Sequence, residues 1–116
     1  MAANETWYFT QYIIYQDAGT AADIKFAFTI PSGATLRWGC LGGAPDTSDA
    51  FSVCPWQDSS GVSQSYGAVN ARRILVLMGM VINGSTAGNL QLQWAQNTAT
   101  VGNTTVFTDS YLEAHK

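Results

Sequence analysis

The chain has little charge, because Asp, Glu, Lys and Arg make up only 11% of its 116 residues. Its five basic residues, Lys25, Arg37, Arg72, Arg73 and Lys116, are scattered along the sequence, whereas phosphate binding needs several of them on one face. We therefore expect no nucleic-acid partner. With so few charges, the exposed surface must consist largely of Ser, Thr, Asn, Gln and Gly. That composition suits contacts with other proteins better than it suits a freely diffusing enzyme.

The residues that usually carry catalysis are also scarce. The single histidine, His115, lies one residue from the end of the chain, where chains commonly fray. Neither cysteine belongs to a CxxC motif, and no serine stands in a nucleophile elbow. We therefore predict a non-enzymatic protein with no catalytic, cofactor-binding or metal site. A carbohydrate-active site built from Asp46, Asp49 and Asp58 is an alternative, although loop aspartates more often accept backbone N–H bonds.

No apolar run reaches the roughly 20 residues that a membrane-spanning helix needs, so no membrane partner is expected. Residues 1–5 show neither the basic nor the apolar region of a secretion signal, which indicates synthesis in a cytoplasm. In a reducing compartment Cys40 and Cys54 are expected to be free thiols. A bond between them would stabilise the chain by roughly 3 kcal/mol in the chain-entropy model.

What the sequence does contain is β-structure. Residues 72–82 are apolar at nearly every position and predict a strand buried on both faces. Residues 89–94 alternate between apolar and polar, which is typical of a half-exposed strand. The Asn83-Gly84 pair between them is a turn signal, so the two stretches are interpreted as one long hairpin.

Other stretches extend this pattern. Residues 7–15 predict an aromatic strand, residues 23–30 alternate strictly with Ile24, Phe26, Phe28 and Ile30 inward, and residues 34–38 alternate again with Leu36 and Trp38 on one face. Residues 104–108 and 110–114 follow as two short strands or one bent strand. No segment shows helical periodicity over three turns. The chain is therefore predicted to be one all-β domain, residues 1–116, of about seven to eight strands after a flexible lead at residues 1–5.

The longest stretch without a clear pattern is residues 39–70. We expect one or two short strands within this long loop region. Three aromatic residues in or beside it, Trp38, Trp56 and Tyr66, are candidates for stacking on a sugar. The more common role of such residues is to anchor loops to the core.

Several stretches resemble a domain of tailed-bacteriophage virion proteins that is similar to the jelly rolls of the tumour-necrosis-factor and C1q superfamily. They are residues 22–28, 31–35, 84–98 and 110–112, and the Leu-Gln-Leu-Gln-Trp-Ala-Gln-Asn-Thr run within 84–98 is the most specific. The resemblance implies a jelly-roll β-sandwich of antiparallel strands that forms a homotrimer, with an aromatic strand near the three-fold axis. Candidate interface residues in the matching stretches are Trp7, Phe9, Tyr12, Val106, Phe107 and Tyr111, for which a role in the core is an equal alternative.

The resemblance implies a virion protein made in the host cytoplasm. The leading expectation is a capsid decoration (cement) protein on the capsid surface, with itself and the major capsid protein as partners. The alternative is a tail-fibre or receptor-binding tip domain that recognises host-surface glycan. Relatives of this type usually have an extra strand before the aromatic one, whereas Met1 lies only six residues ahead of Trp7 here. We therefore also expect a neighbouring subunit or a capsid protein to complete the sheet edge by strand addition.

Overall fold

The structure, a computed structural model, describes residues 1–17, 22–43, 51–58, 60, 64–67 and 70–116. These residues form nine β-strands and no helix, and so no helix that could span a membrane. The strands are β1 (Thr6–Asp17), β2 (Ile24–Thr29), β3 (Thr35–Gly43), β4 (Phe51–Gln57), β5 (Gln64–Tyr66), β6 (Arg73–Ile82), β7 (Gln91–Gln96), β8 (Thr104–Val106) and β9 (Tyr111–His115). The all-β class is confirmed, with nine strands instead of seven to eight.

The strands form two antiparallel sheets. The large sheet has the order β4-β3-β6-β1, and β8 and β9 both pair with the remaining edge of β1. The small sheet has the order β5-β2-β7. This arrangement is consistent with a β-sandwich in which the inner faces of the two sheets enclose the core.

Aromatic side chains join the two sheets. The ring of Phe28 on β2 lies 5.3 Å from that of Phe9 on β1 and 5.2 Å from that of Trp38 on β3, both in edge-to-face contact. Phe26 meets Tyr15 in the same way at 6.4 Å. Such pairs add to the free energy already gained by burying the rings. The prediction that Phe26 and Phe28 point inward, together with Ile24, is confirmed.

The prediction that residues 72–82 form a strand buried on both faces is wrong. On β6, Leu75, Leu77 and Val81 are completely buried against the small sheet, but alternate residues point the other way. Ile74 on that second face is 61% exposed and Met78 is 39% exposed. The small sheet covers one face of β6, and no described residue covers the other.

The predicted hairpin of residues 72–94 is also wrong, because β6 and β7 belong to different sheets. Residues 83–90 cross from the large sheet to the small one instead of making a tight turn. The crossing lies close to the turn at residues 31–33: a Cβ added at Gly84 would lie 2.7 Å from the Gly33 carbonyl oxygen. Glycine at position 84 therefore permits a close approach of two backbone segments.

Residues 39–70 contain the end of β3 and two further strands, β4 and β5, in agreement with the one or two short strands expected there. The pairing of β3 with β4 places Cys40 opposite Cys54, with 5.1 Å between their Cα atoms. The two residues form a disulfide, so the expectation of free thiols is wrong. The physical reason is the strand register, which brings together two residues 14 positions apart in the sequence.

Replacing both cysteines with serine is expected to lower the free energy of unfolding by about 3 kcal/mol, because the unfolded chain regains the freedom of a closed loop of this size. Urea denaturation of the wild-type protein and the double variant measures the difference. Alkylation of the wild-type protein under denaturing, non-reducing conditions provides the control. Two modified thiols in that sample would contradict the disulfide.

Residues 1–5, expected to form a flexible lead, are hydrogen bonded to the crossing segment. The Met1 amino group donates to the Gly88 carbonyl at 2.9 Å, and the Asn4 amide donates to the Gly84 carbonyl at 2.8 Å. The buried Asn83 side chain donates to the Ala2 carbonyl at 2.6 Å. These bonds hold the N-terminus against the segment that links the two sheets.

Glu5 connects the two ends of the chain. Its carboxylate pairs with the Lys116 ammonium and accepts hydrogen bonds from the Trp7 indole and the Ala2 amide, both at 2.8 Å. These contacts, led by the one with Lys116, lower the pKa of Glu5 from 4.5 to about 2. Because these contacts favour the ionised form of Glu5, they stabilise the fold above pH 4.5. This stabilisation is lost as the pH falls towards 2.

A carboxyl NMR titration of Glu5 is expected to show a midpoint near pH 2 in the wild-type protein. Lys116→Met removes the first cause of the shift, so the midpoint moves back towards 4.5. A wild-type midpoint already near 4.5 would show that the contact between the two termini does not form in solution.

Candidate functional site

The most unusual surface of the protein is the outer face of the large sheet, which is the face turned away from the small sheet. Strand register defines it: Tyr8 and Tyr12 on β1 lie opposite Met80 and Val76 on β6, and paired residues share a face. The pairing of β6 with β3 extends the face to Leu41. We name its apolar side chains the outer patch: Tyr8, Tyr12, Ile14, Leu41, Val53, Trp56, Ile74, Val76, Met78, Met80, Ile82 and Tyr111.

The outer patch is exposed to solvent over much of its area. Val53, Trp56 and Ile74 each expose more than 60% of their surface, and Tyr111 exposes 53%. Scattered exposed apolar residues are normal, whereas a contiguous apolar area on one face usually marks an interaction site. This face therefore has the character of a surface that another protein covers.

A shallow hollow of about 280 Å³ lies within the outer patch. It forms over Gly39, whose missing side chain leaves open space, and its walls include Leu41, Val53, Trp56 and Met78. Because its walls are almost entirely apolar, the hollow suits an apolar side chain from a partner. Pockets that become filled and desolvated when a partner binds typically contribute much of the affinity in protein interfaces.

Polar groups border the patch. The Trp56 indole donates to the Asp58 carboxylate at 2.9 Å, and Arg37 on β3 lies 3.7 Å from the same carboxylate oxygen. These contacts orient the Trp56 ring beside the hollow. On β9, Glu113 shares the outer face, and the His115 ring stacks on Tyr8 with 5.8 Å between ring centres. An apolar centre with a polar rim is the usual composition of a protein interface.

The six candidate interface residues do not form one surface. Tyr12 and Tyr111 lie together on the outer face, where their rings stack with 4.7 Å between centres. The other four lie elsewhere. Phe9 is buried in the core, Val106 packs against the core, and Trp7 is half-buried near the start of β1. The Arg72 guanidinium lies over Phe107, 4.2 Å from the centre of the Phe107 ring.

The three candidate sugar-stacking residues are also separated. Trp38 is completely buried between the sheets, and Tyr66 is buried beside Cys40, with 2.6 Å between its hydroxyl oxygen and the cysteine sulfur. Burial raises the pKa of Tyr66 above its usual value, which keeps the hydroxyl neutral. Of the three, Trp56 presents a ring to solvent, and it belongs to the outer patch.

Of the three aspartates considered for a carbohydrate-active site, the structure describes Asp58. Asp58 is exposed and paired with Arg37, while Asp46 and Asp49 lie outside the described residues. Asp17 is completely buried at the end of β1, where Thr104 donates to it at 3.5 Å. Burial, and then the charge of Asp17, raises the pKa of Asp23. The described part of the chain contains no cluster of three or more potential metal-binding side chains.

Sequence reasoning missed most of the outer patch, in particular Ile74, Met78 and Ile82. The signal was present in residues 72–82, which are apolar on both faces of a strand. That pattern predicts that both faces are covered, but it does not specify whether the cover comes from the same chain.

Comparison with known proteins found no matching family model, no matching curated protein and no matching solved structure.

Proposed function

We propose that this chain is a non-enzymatic structural protein of a tailed phage, a capsid decoration (cement) protein that stabilises the assembled head through protein contacts. The phage context follows from the resemblance of residues 22–28, 31–35, 84–98 and 110–112 to virion domains. The observation that carries the proposed mode of action is the outer patch, because it is a large apolar face that the described part of the chain leaves uncovered.

The area of the outer patch supports attachment to a protein surface. Five strands contribute to it, and the apolar residues of β1 and β6 lie side by side along the ten residue pairs that join these two strands. Removing such a face from water is favourable in proportion to its apolar area. A protein that spans the joint between two capsid subunits through this face would resist their separation.

A jelly roll is the proposed fold. A jelly roll folds a long hairpin back on itself, so that early strands pair with late ones in reverse order. The pairings of β1 with β8 and β9, of β2 with β7 and of β3 with β6 follow that rule. The direct pairing of β1 with β6 departs from it. These four pairings support the proposal, and the pairing of β1 with β6 distinguishes this chain from a regular jelly roll.

A homotrimer is the proposed form of the protein on the head. The stacked pair of Tyr12 and Tyr111 supports it, because this pair puts aromatic surface of β1 and β9 on the exposed outer face. A trimer holds several weak capsid contacts together, and binding at one of them raises the effective concentration at the next. Modest contacts can then give stable attachment.

Reconstitution on phage heads tests the proposal. Purified protein is added to heads that lack it, unbound protein is removed by sedimentation, and occupancy is measured against protein concentration. We expect saturation at a fixed number of copies per head and an increase in the temperature at which the heads release their DNA. Heads that bind no protein, or bind it without saturation and without stabilisation, would refute the proposed function.

A further inference from the structure

The small sheet ends in an edge strand, β7, that has a partner on one side only among the described residues. It pairs with β2 from Gln91 to Gln96, and no other described strand lies beyond it. An edge of this kind presents a row of backbone N–H and C=O groups that can pair with another strand. Six residues match the usual length of a strand.

This edge lacks the features that normally prevent such pairing. The sequence of β7 is Gln-Leu-Gln-Trp-Ala-Gln, with no charge and no proline. It lies within residues 74–108, which contain no Asp, Glu, Lys, Arg or His. The other edge strands are protected: β4 contains Pro55, β5 and β8 have only three residues each, and β9 carries Glu113. Edge strands usually rely on such features to avoid association.

The space beside β7 is open and apolar. Trp94 shares the inner face of its sheet with Phe26, yet it is 46% exposed, and Leu112 on the inner face of β9 is 48% exposed. A crevice of about 530 Å³ separates the start of β7 from β9, and its walls include Leu90, Leu112 and Ala114. The small sheet is narrower than the large one, so the inner side chains at this border remain partly uncovered.

The absence of charge indicates which partner fits. A two-fold contact brings residues close to their own copies, so any charge there meets a like charge. The charge-free span of residues 74–108 avoids that repulsion, whereas a different partner would commonly be selected by complementary charge. The order of side chains along β7 also allows the strand to pair with a second copy of itself. With Gln93 opposite its own copy, Leu92 lies opposite Trp94 of the second chain, and Gln91 lies opposite Ala95.

From these observations we infer that β7 is a self-association site separate from the proposed trimer contact: two copies pair antiparallel along β7 about a two-fold axis at Gln93. The two small sheets then join into one continuous sheet. Leu92 and Trp94 of each copy form cross-strand pairs on the inner side, a type of pair that stabilises sheets. This contact uses the small sheet and is independent of the proposed attachment through the outer patch.

Cysteine substitution tests the contact at the level of single residues. Gln91, Gln93 and Ala95 are exposed, and the two native cysteines are already bonded to each other. Directly opposite residues of an antiparallel pair have Cα atoms roughly 4.5 to 5.5 Å apart, within the range of a disulfide. Gln93→Cys is therefore expected to give a covalent dimer under mild oxidation. Gln91→Cys is the matched control, because its two copies would lie about 13 Å apart along the strands.

The register gives a second expected result. A mixture of the Gln91→Cys and Ala95→Cys proteins is expected to cross-link as a heterodimer, since these positions face each other. Failure of Gln93→Cys to cross-link, or equal yields for Gln93→Cys and Gln91→Cys, would overturn the inference. The readout is a non-reducing gel with mass spectrometry of the linked peptides, so a trimer formed through another surface does not affect it.

A charged variant tests the same contact without a covalent bond. Gln93→Lys places two ammonium groups opposite each other at the axis, and like charges in that position destabilise the pair. Analytical ultracentrifugation is expected to show at least a tenfold higher concentration for half-association than in the wild-type protein. Thr29→Lys, which adds the same charge at an exposed position of β2, is expected to have little effect. Equal effects of the two variants would contradict a specific β7 contact.

Discussion

Replacing Met78 with glutamate is expected to reduce the affinity of the protein for phage heads by about a hundredfold or more. Met78 lies in the middle of the outer patch, beside the hollow over Gly39. Covering this face would bury the introduced carboxylate without a partner, and an unpaired buried charge costs about 3 kcal/mol or more, which corresponds to at least a hundredfold in affinity. The sedimentation assay with heads measures the change.

The isolated Met78→Glu protein is expected to remain folded, because Met78 is 39% exposed and its side chain points away from the core. Its free energy of unfolding should stay within about 0.5 kcal/mol of the wild-type value, as is usual for surface positions. The matched control is Thr29→Glu, which adds the same charge on the opposite side of the sandwich. Undiminished binding by Met78→Glu, or an equal loss in Thr29→Glu, would show that the outer patch does not contact the head.

Trp38→Ala is expected to lower the free energy of unfolding by about 3 to 5 kcal/mol, the usual cost of removing a large aromatic side chain from a core. Trp38 is completely buried and packs edge to face against Phe28. Chemical denaturation measures the loss, which is a large part of the stability of a domain of this size.

Trp56→Ala is the control for Trp38→Ala, because it removes a tryptophan from the surface instead of the core. Trp56 is 61% exposed, so its removal should change the free energy of unfolding by less than about 1 kcal/mol. It should instead weaken head binding, because the ring forms a wall of the hollow. If Trp38→Ala were as stable as the wild-type protein, the packing of the two sheets described above would be incorrect.

The strand pattern could be predicted well wherever one face meets the core and the other meets water. The strict alternation of residues 23–30 corresponds to β2, with Ile24, Phe26 and Phe28 buried. Local signals of this kind depend on side-chain period alone. They require no knowledge of which strands are neighbours.

The wrong predictions, the hairpin and the free thiols, depend on contacts between residues that are far apart in the sequence. The turn signal at Asn83-Gly84 is local, but whether the chain then pairs with the preceding strand or crosses to another sheet depends on distant partners. The juxtaposition of Cys40 and Cys54 likewise depends on the register of β3 and β4. A pattern of residue types does not determine that register across the intervening segment.

The candidate site was missed for a related reason. Residues 72–82 are apolar on both faces of a strand, which predicts that both faces are covered. On the monomer, one of these faces, with Ile74 and Met78, stays exposed. The face for which burial was wrongly predicted is therefore the face on which the proposed function depends, as expected if local rules fail at functional surfaces. Of the six candidate interface residues, Tyr12 and Tyr111 belong to this surface.

The proposed capsid contact and the inferred β7 contact use different parts of the molecule. The outer patch faces away from the small sheet, while the β7 edge belongs to it. Attachment to a head through the outer patch therefore leaves β7 free to pair with a second copy. Neighbouring copies on a head would then be linked to each other as well as to the capsid.

Cryo-electron microscopy of phage particles that carry the protein is the most direct test of the proposed function. We expect regular density on the outside of the head, with the large sheet towards the capsid and Ile74, Met78 and Trp56 buried in the contact. Density confined to the tail, or density on the head with the outer patch turned to solvent, would contradict the proposal.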